Sequence, residues 1–145
     1  MATGFGVGFS PFAPGTLGTL VVGVPVYLVF SHFTWPLYAV TVIAFTFLGI
    51  YVSQEAEKLW QKKDPSWIVI DEVVGLQYTL FLVTPTVVHV CIGFLLFRFF
   101  DIVKPFPVRW CERHLPGGYG VVGDDVAAGI YGSIVLLLLT SFTGL

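Results

Sequence analysis

The sequence has few charged residues. Only 11% of its 145 residues are Asp, Glu, Lys or Arg, and 56% are hydrophobic, whereas a soluble domain carries about 25% charged residues. Long parts of the chain have no charge at all, because every charged residue lies between Glu55 and Asp125. A charge at the centre of a bilayer costs about 2.5–3.5 kcal/mol. This distribution predicts a membrane protein whose charged segments avoid the lipid core.

Other absences exclude several classes of protein. A net charge of -2 offers no basic surface for nucleic acid. Cys91 and Cys111 lack the spacing of a zinc site, and neither is followed six positions later by the arginine that a cysteine phosphatase needs. The glycine-rich stretch near the N-terminus is not followed by the lysine of a nucleotide-binding loop. The first residues do not resemble a cleaved signal peptide, so we expect insertion through internal apolar segments.

The apolar runs predict a helical bundle. Two of them approach the roughly 17 residues that a membrane-spanning helix needs as a minimum, and the other three are short or broken, one of them by Pro25. We therefore predict one all-α domain over residues 1–145, a compact multi-pass membrane bundle with short or broken helices. The runs cover residues 16–30, 36–53, 73–84, 86–100 and 126–142.

The basic residues indicate an orientation. Six of the seven Lys and Arg residues lie in two connecting segments, 54–72 and 101–125. Because basic residues in short loops mark the cytoplasmic side of a membrane, we expect both segments to meet on that face. The glycine-rich N-terminal stretch would join them there, so an active site is expected at the cytoplasmic face.

Carboxylates recur in three places within these segments, at Asp71-Glu72, at Asp101 and at Asp124-Asp125. Asp124 or Asp125 could simply cap a helix that begins at Val126. Asp71 and Glu72 are flanked by apolar residues, and carboxylates in such a setting are costly unless they are paired or bind a cation. Oxygen ligands without a histidine or cysteine set favour Mg²⁺. A membrane cation pathway is the alternative that uses the same carboxylates.

Two further stretches could bind phosphate. Arg98, Asp101 and Lys104 recur every three residues, which places them on one broad face of a helix that ends before Pro105. They could form a local ion pair, or the two cations could contact a phosphate. Near the N-terminus, a glycine-rich turn could present backbone N–H groups to an anion, or its small residues could serve helix packing. The residues concerned are Gly15, Thr16 and Gly18.

Four stretches together resemble one family of proteins. They are SPFAPGTLGTL at 10–20, DPSWIVIDEVVG at 64–75, FRFFDIVKPFPVRWCE at 97–112 and GGYGVVGDDVAAG at 117–129. In this combination and order they resemble phosphatidylglycerophosphatase A, a small bacterial inner-membrane lipid phosphatase. The resemblance covers nearly the whole chain.

The resemblance implies Mg²⁺-dependent hydrolysis of phosphatidylglycerophosphate to phosphatidylglycerol and inorganic phosphate, with the phospholipid and the bilayer as partners. It places the metal ligands at Asp71, Glu72, Asp101, Asp124 and Asp125, and the catalytic groups at Asp71, Asp101, Arg98 and Lys104. Phosphate binding falls on Gly15, Thr16, Gly18, Arg98 and Lys104. We expect a water nucleophile, with Asp71 or Asp101 accepting its proton, and a covalent aspartyl phosphate as the alternative.

Overall fold

The computed structural model describes residues 1–63 and 65–144, and within these ranges the only regular structure is helical, which confirms the all-α prediction. A short 3₁₀ turn (Val7–Phe9) precedes the first helix, and a π-helical turn (Thr19–Gly23) joins α1 to α2. That wide turn immediately precedes Pro25, whose missing N–H cannot continue a regular helical ladder. The helices are α1 (Pro14–Gly18), α2 (Val24–Phe30), α3 (Trp35–Trp60), α4 (Ile70–Thr79), α5 (Val87–Val103), α6 (Val108–His114) and α7 (Gly118–Thr143).

The two charged segments meet at one end of the bundle. Lys63, just after α3, donates a hydrogen bond at 3.5 Å to the carbonyl of Glu112 in α6. At the opposite end, the hydroxyl of Tyr27 donates to the carbonyl of Val83 at 2.9 Å and ties α2 to the loop between α4 and α5. The chain therefore leaves the charged end and returns to it twice before α7 departs for the last time.

Helices α3 and α7 are each long and apolar enough to cross a membrane. They also expose large apolar side chains, for example Phe47 on α3 and Ile134 on α7. Exposed apolar surface on this scale is costly in water and is covered by acyl chains in a bilayer. The protein is accordingly membrane-associated.

Helix α4 is the short central element. Most of its ten residues are buried, including Asp71 and Gln77. Because it is enclosed by protein, its polar side chains can find partners only there: the Gln77 amide donates to the carbonyls of Gly23 at 3.0 Å and Val73 at 3.1 Å. Since eight of its ten residues are buried, α4 lies inside the bundle, and this position holds the Asp71-Glu72 pair in the protein interior.

Two local predictions were wrong. Helix α7 begins at Gly118, eight residues before Val126, so Asp124 and Asp125 lie inside the helix and cap nothing. The glycines before them are helical too, and they let α7 approach its neighbours closely. Helix α5 ends at Val103, and Lys104 follows it as the C-cap in the left-handed conformation, with φ of 48°. Lys104 therefore does not continue the helical face of Arg98 and Asp101.

Helices α4 and α7 cross with their backbones almost in contact. A methyl group at Gly129 of α7 would collide with the carbonyl oxygen of Gly75 in α4, and one at Gly75 would lie 2.7 Å from the carbonyl oxygen of Asp125. Small residues permit such close crossings in membrane bundles. The crossing matters for function because it brings Asp124 and Asp125 beside Asp71 and Glu72.

We expect Gly129→Ala to destabilise the protein by about 1–3 kcal/mol, because the added methyl group must displace the α4 backbone. Thermal unfolding in detergent micelles, followed by circular dichroism, measures the change. Gly49→Ala on α3 is the matched control, since its methyl group would meet a side-chain atom of Val74 at 3.2 Å and alanine favours the helix. Equal melting temperatures for the two variants would contradict the close crossing.

Candidate active site

A cavity of about 290 Å³ opens at the charged end of the bundle. The polar residues that line it come from α1, the segment before α4, and helices α4, α5 and α7, together with the α5 C-cap. All five carboxylates predicted as metal ligands are among them, as are both predicted phosphate-binding cations. These residues are Gly15, Ser66, Asp71, Glu72, Arg98, Asp101, Lys104, Asp124 and Asp125.

Arg98 links α5 to α4 in the lining of this cavity. Its Nη1 atom lies 2.6 Å from Oδ2 of Asp101, one turn further along α5, and 3.5 Å from Oε1 of Glu72 in α4. The side chains are only 14–18% exposed, so these charges are poorly screened by solvent. The local ion pair between Arg98 and Asp101 therefore exists, and it lies on the wall of the cavity.

Lys104 forms the second bridge. Its Nζ atom lies 2.7 Å from Oδ2 of Asp124 in α7 and 2.9 Å from Oε1 of Glu112 in α6. Burial lowers the pKa of Lys104, but its hydrogen bonds to Asp124 and Glu112 outweigh that effect, so the net pKa is raised above its usual value. Lys104 is thus a permanent cation at neutral pH.

The cavity nevertheless carries an excess of acid. Five carboxyl groups and two cations line it, and the carboxyls of Asp71, Asp124 and Asp125 are at most 7% exposed. Oδ1 of Asp125 is buried without a hydrogen-bond partner among the residues that the structure describes. Such an excess of buried negative charge repels a phosphate group unless a cation offsets it.

The donor set fits a hard divalent cation, since it consists of carboxylate oxygens with no sulfur or imidazole. Within residues 1–63 and 65–144, however, no three His, Cys, Asp or Glu side chains are already arranged around one point as a metal site. Arg98 holds Asp101, and Lys104 holds Asp124. Each of these contacts uses Oδ2, and a carboxylate has two acceptor oxygens, so a divalent cation could bind without displacing either partner.

Only one of the three α1 residues predicted to bind phosphate lies at the cavity. Gly15 lines the cavity, and a methyl group there would collide with the Glu72 carboxylate and lie 3.4 Å from Nη1 of Arg98. Gly18 packs instead on Val69, and a methyl group there would lie 2.6 Å from the Cβ atom of Val69. Thr16 and Gly18 do not line the cavity. Only Gly15 of the three lies beside the carboxylates.

Sequence reasoning missed Glu112 as a member of this site. Glu112 lies in the second charged segment and ends the stretch 97–112, but neither fact indicated a contact with Lys104. It reaches Lys104 because the chain turns between α5 and α6, so that the seven intervening residues fold back. Lys104 is therefore held by one carboxylate of α6 and one of α7.

Comparisons with known proteins agree with one another. The family model described as Phosphatidylglycerophosphatase A matches residues 1–140. A protein of Escherichia coli named "Phosphatidylglycerophosphatase A" is 36% identical over 140 residues, which cover 96% of this chain and 81% of that protein. A protein of Haemophilus influenzae with the same name is 35% identical over 152 residues, covering 96% of this chain and 86% of that protein.

A further relative carries a different name. A protein of Bacteroides thetaiotaomicron named "Putative phosphatidylinositol-3-phosphatase" is 44% identical over 144 residues, which cover 94% of this chain and 89% of that protein. No solved structure matches this chain. The names of all three relatives describe phosphatases that act on a phosphorylated lipid.

Proposed function

Because the chain belongs to the phosphatidylglycerophosphatase A family, we propose that it is a Mg²⁺-dependent phosphatase that converts phosphatidylglycerophosphate to phosphatidylglycerol and inorganic phosphate. Membership of the family makes it a phosphatase. The proposal adds the particular lipid, the metal and the residues that act. One observation carries it: the cavity gathers five carboxylates and two cations at the end of a bundle whose long helices suit a bilayer.

Mg²⁺ is proposed to be held by Asp71, Glu72, Asp101, Asp124 and Asp125, where it would supply positive charge to the phosphoryl oxygens. Arg98 would contact the same phosphate from α5, since its planar guanidinium can donate two parallel hydrogen bonds. Lys104 would add a point charge from the α5 C-cap. Both cations are already fixed by carboxylates, so little ordering is needed when substrate binds.

Asp71 is the carboxylate that we assign as proton acceptor for the attacking water. Asp101 is engaged by Arg98 at 2.6 Å, so its carboxylate already serves to hold that cation. Asp71 lines the same cavity from the first turn of α4 and is 7% exposed. Attack forms a new bond from the water oxygen to phosphorus, the phosphorus–ester oxygen bond breaks, and the leaving alkoxide of the lipid takes a proton from solvent.

We place the cavity at the cytoplasmic face of the bacterial inner membrane. The support is the basic content of residues 54–72 and 101–125, which the fold brings to the same end as the cavity. A membrane-impermeant maleimide tests this orientation on Lys58→Cys in a chain without Cys91 and Cys111. Labelling of intact spheroplasts, rather than of inverted vesicles only, would refute it.

Removal of divalent cations is expected to abolish phosphate release, because the excess negative charge of the cavity then repels the substrate. The measurement compares inorganic phosphate released from phosphatidylglycerophosphate in detergent micelles with EDTA and with added Mg²⁺. Activity should return on addition of Mg²⁺ and not of Na⁺ at equal ionic strength. Full turnover in EDTA would contradict the metal requirement, and absence of phosphate release under every condition would favour the cation-pathway alternative.

A further inference from the structure

A second cavity, of about 430 Å³, lies beside the first and shares Lys104 with it. Its other walls come from the turn after α5 and from α6, and the residues that matter below are Phe106, Arg109, Trp110, Arg113 and His114. No acidic residue of the described chain lines it. The first cavity is therefore rich in carboxylates, whereas its neighbour contains cations and aromatic rings.

The two arginines of this second cavity are not committed to carboxylates. Within residues 1–63 and 65–144, neither Arg109 nor Arg113 forms an ion pair. Arg109 uses one of its donors, Nη2, on the carbonyl of Val103 at 3.3 Å. Four residues apart on α6, the two side chains share a helical face. They contrast with Arg98 and Lys104, whose charges are held by acids.

The aromatic residues place this cavity at the depth of lipid headgroups. Phe106 is 77% exposed and Trp110 is 47% exposed, and such rings favour the boundary between acyl chains and water. Trp110 also stacks on His114, with ring centroids 5.1 Å apart, so the two rings restrain each other on α6. Cationic side chains at that depth face the phosphate layer of the lipid.

We infer that Arg109 and Arg113 bind the phosphodiester of the lipid substrate, while the first cavity holds the terminal phosphomonoester. The inference rests on the proposed function and extends it. Phosphatidylglycerophosphate carries both groups, separated only by one glycerol, so two anion sites must be adjacent, as these cavities are. Arginine suits a phosphodiester because its fork can donate to both non-bridging oxygens. These residues would then select lipids in which a polyol separates a monoester from a diester.

The experiment measures kcat and KM of Arg109→Gln, Arg113→Gln and the double variant with phosphatidylglycerophosphate in neutral detergent micelles containing Mg²⁺. Each arginine removed is expected to raise KM about tenfold, as for one charge-assisted hydrogen bond, with kcat nearly unchanged. Lys58→Gln is the matched control, because Lys58 is an exposed cation of α3 that lines neither cavity. Its KM should equal that of the wild type.

Product inhibition by inorganic phosphate separates a diester site from a general attraction of anions. Inorganic phosphate occupies only the monoester site, so its inhibition constant should not change in the arginine variants. The inference is overturned if KM stays at the wild-type value, or if KM and the inhibition constant for phosphate rise by the same factor. In either case, normal turnover by the wild-type protein would still support the proposed phosphatase function. A wild-type protein without turnover would contradict both the phosphatase function and the diester site.

Discussion

Replacing Asp71 with asparagine is expected to lower kcat about 10²–10⁴-fold, the range for loss of a positioned proton acceptor. The amide has nearly the same shape as the carboxylate, but it cannot take the proton of the attacking water. Asp71 lies in the first turn of the buried helix α4, so its position is fixed by the packing of that helix. Phosphate release from phosphatidylglycerophosphate at saturating substrate measures the effect.

A titration with Mg²⁺ distinguishes the two roles predicted for Asp71. If it accepts the proton, the loss of kcat persists at saturating Mg²⁺. Recovery of the wild-type rate at high Mg²⁺ would show that Asp71 serves only as a metal ligand and would contradict its assignment as the base. Glu55→Gln is the control, since Glu55 is an exposed acid paired with Lys58 on α3 and its replacement should leave the rate unchanged.

The Asp71→Asn variant also tests whether the nucleophile is water or a carboxylate. A water route leaves no phosphoryl group on the protein during turnover. If radiolabelled phosphate were trapped on the wild-type chain through a hydroxylamine-sensitive linkage and not on Asp71→Asn, Asp71 would be a covalent nucleophile. That result would replace the proton-acceptor role with an aspartyl phosphate.

The sequence was sufficient to predict that the five carboxylates of the cavity meet, although not that Glu112 joins Lys104. Asp71, Asp101 and Asp124 lie far apart in the chain, but all of them fall in segments that a membrane bundle cannot place in lipid. The apolar runs between these segments cross away from one end of the bundle and return to it. The charged segments must therefore lie together at that end. The cavity lined by all five predicted carboxylates agrees with that reasoning.

Local backbone geometry could not be predicted in the same way. GGYGVVGDD has the composition of a loop, because glycine disfavours an isolated helix by about 1 kcal/mol per residue. Tertiary packing overrides this preference, since Gly118, Gly120 and Gly129 let α7 press on neighbouring backbone. Asp124 and Asp125 thus lie in the second and third turns of α7, and their side chains line the cavity rather than cap the helix.

The position of Lys104 could not be predicted from sequence periodicity either. A spacing of three residues predicts one helical face only while the helix continues. Helix α5 stops at Val103 because Pro105 disfavours the helical conformation of the residue before it, and Lys104 adopts the left-handed conformation instead. Its ammonium group consequently contacts Asp124 of α7 and Glu112 of α6. The Lys104 side chain lines both cavities.

Replacing Arg98 with glutamine is expected to lower kcat/KM about 10²–10³-fold, the range for removal of one donor that stabilises developing charge. Among the described residues, Arg98 is the only arginine that lines the first cavity. Arg98→Lys should recover only part of the loss, because an ammonium group cannot donate the two parallel hydrogen bonds of a guanidinium. Steady-state kinetics of the three proteins test this order.

Loss of Arg98 also removes the partner of Asp101 and Glu72, so reduced activity could arise from unfolding. Breaking a fully buried ion pair costs about 3–5 kcal/mol, and the cost should be smaller here because the side chains are 14–18% exposed. The double variant Arg98→Gln, Asp101→Asn removes both charges of the short pair and should recover much of the lost stability. If that protein melts like the wild type and remains inactive, Arg98 and Asp101 act in the reaction. If it regains activity together with stability, their pairing is structural and the phosphate contact must come from Lys104.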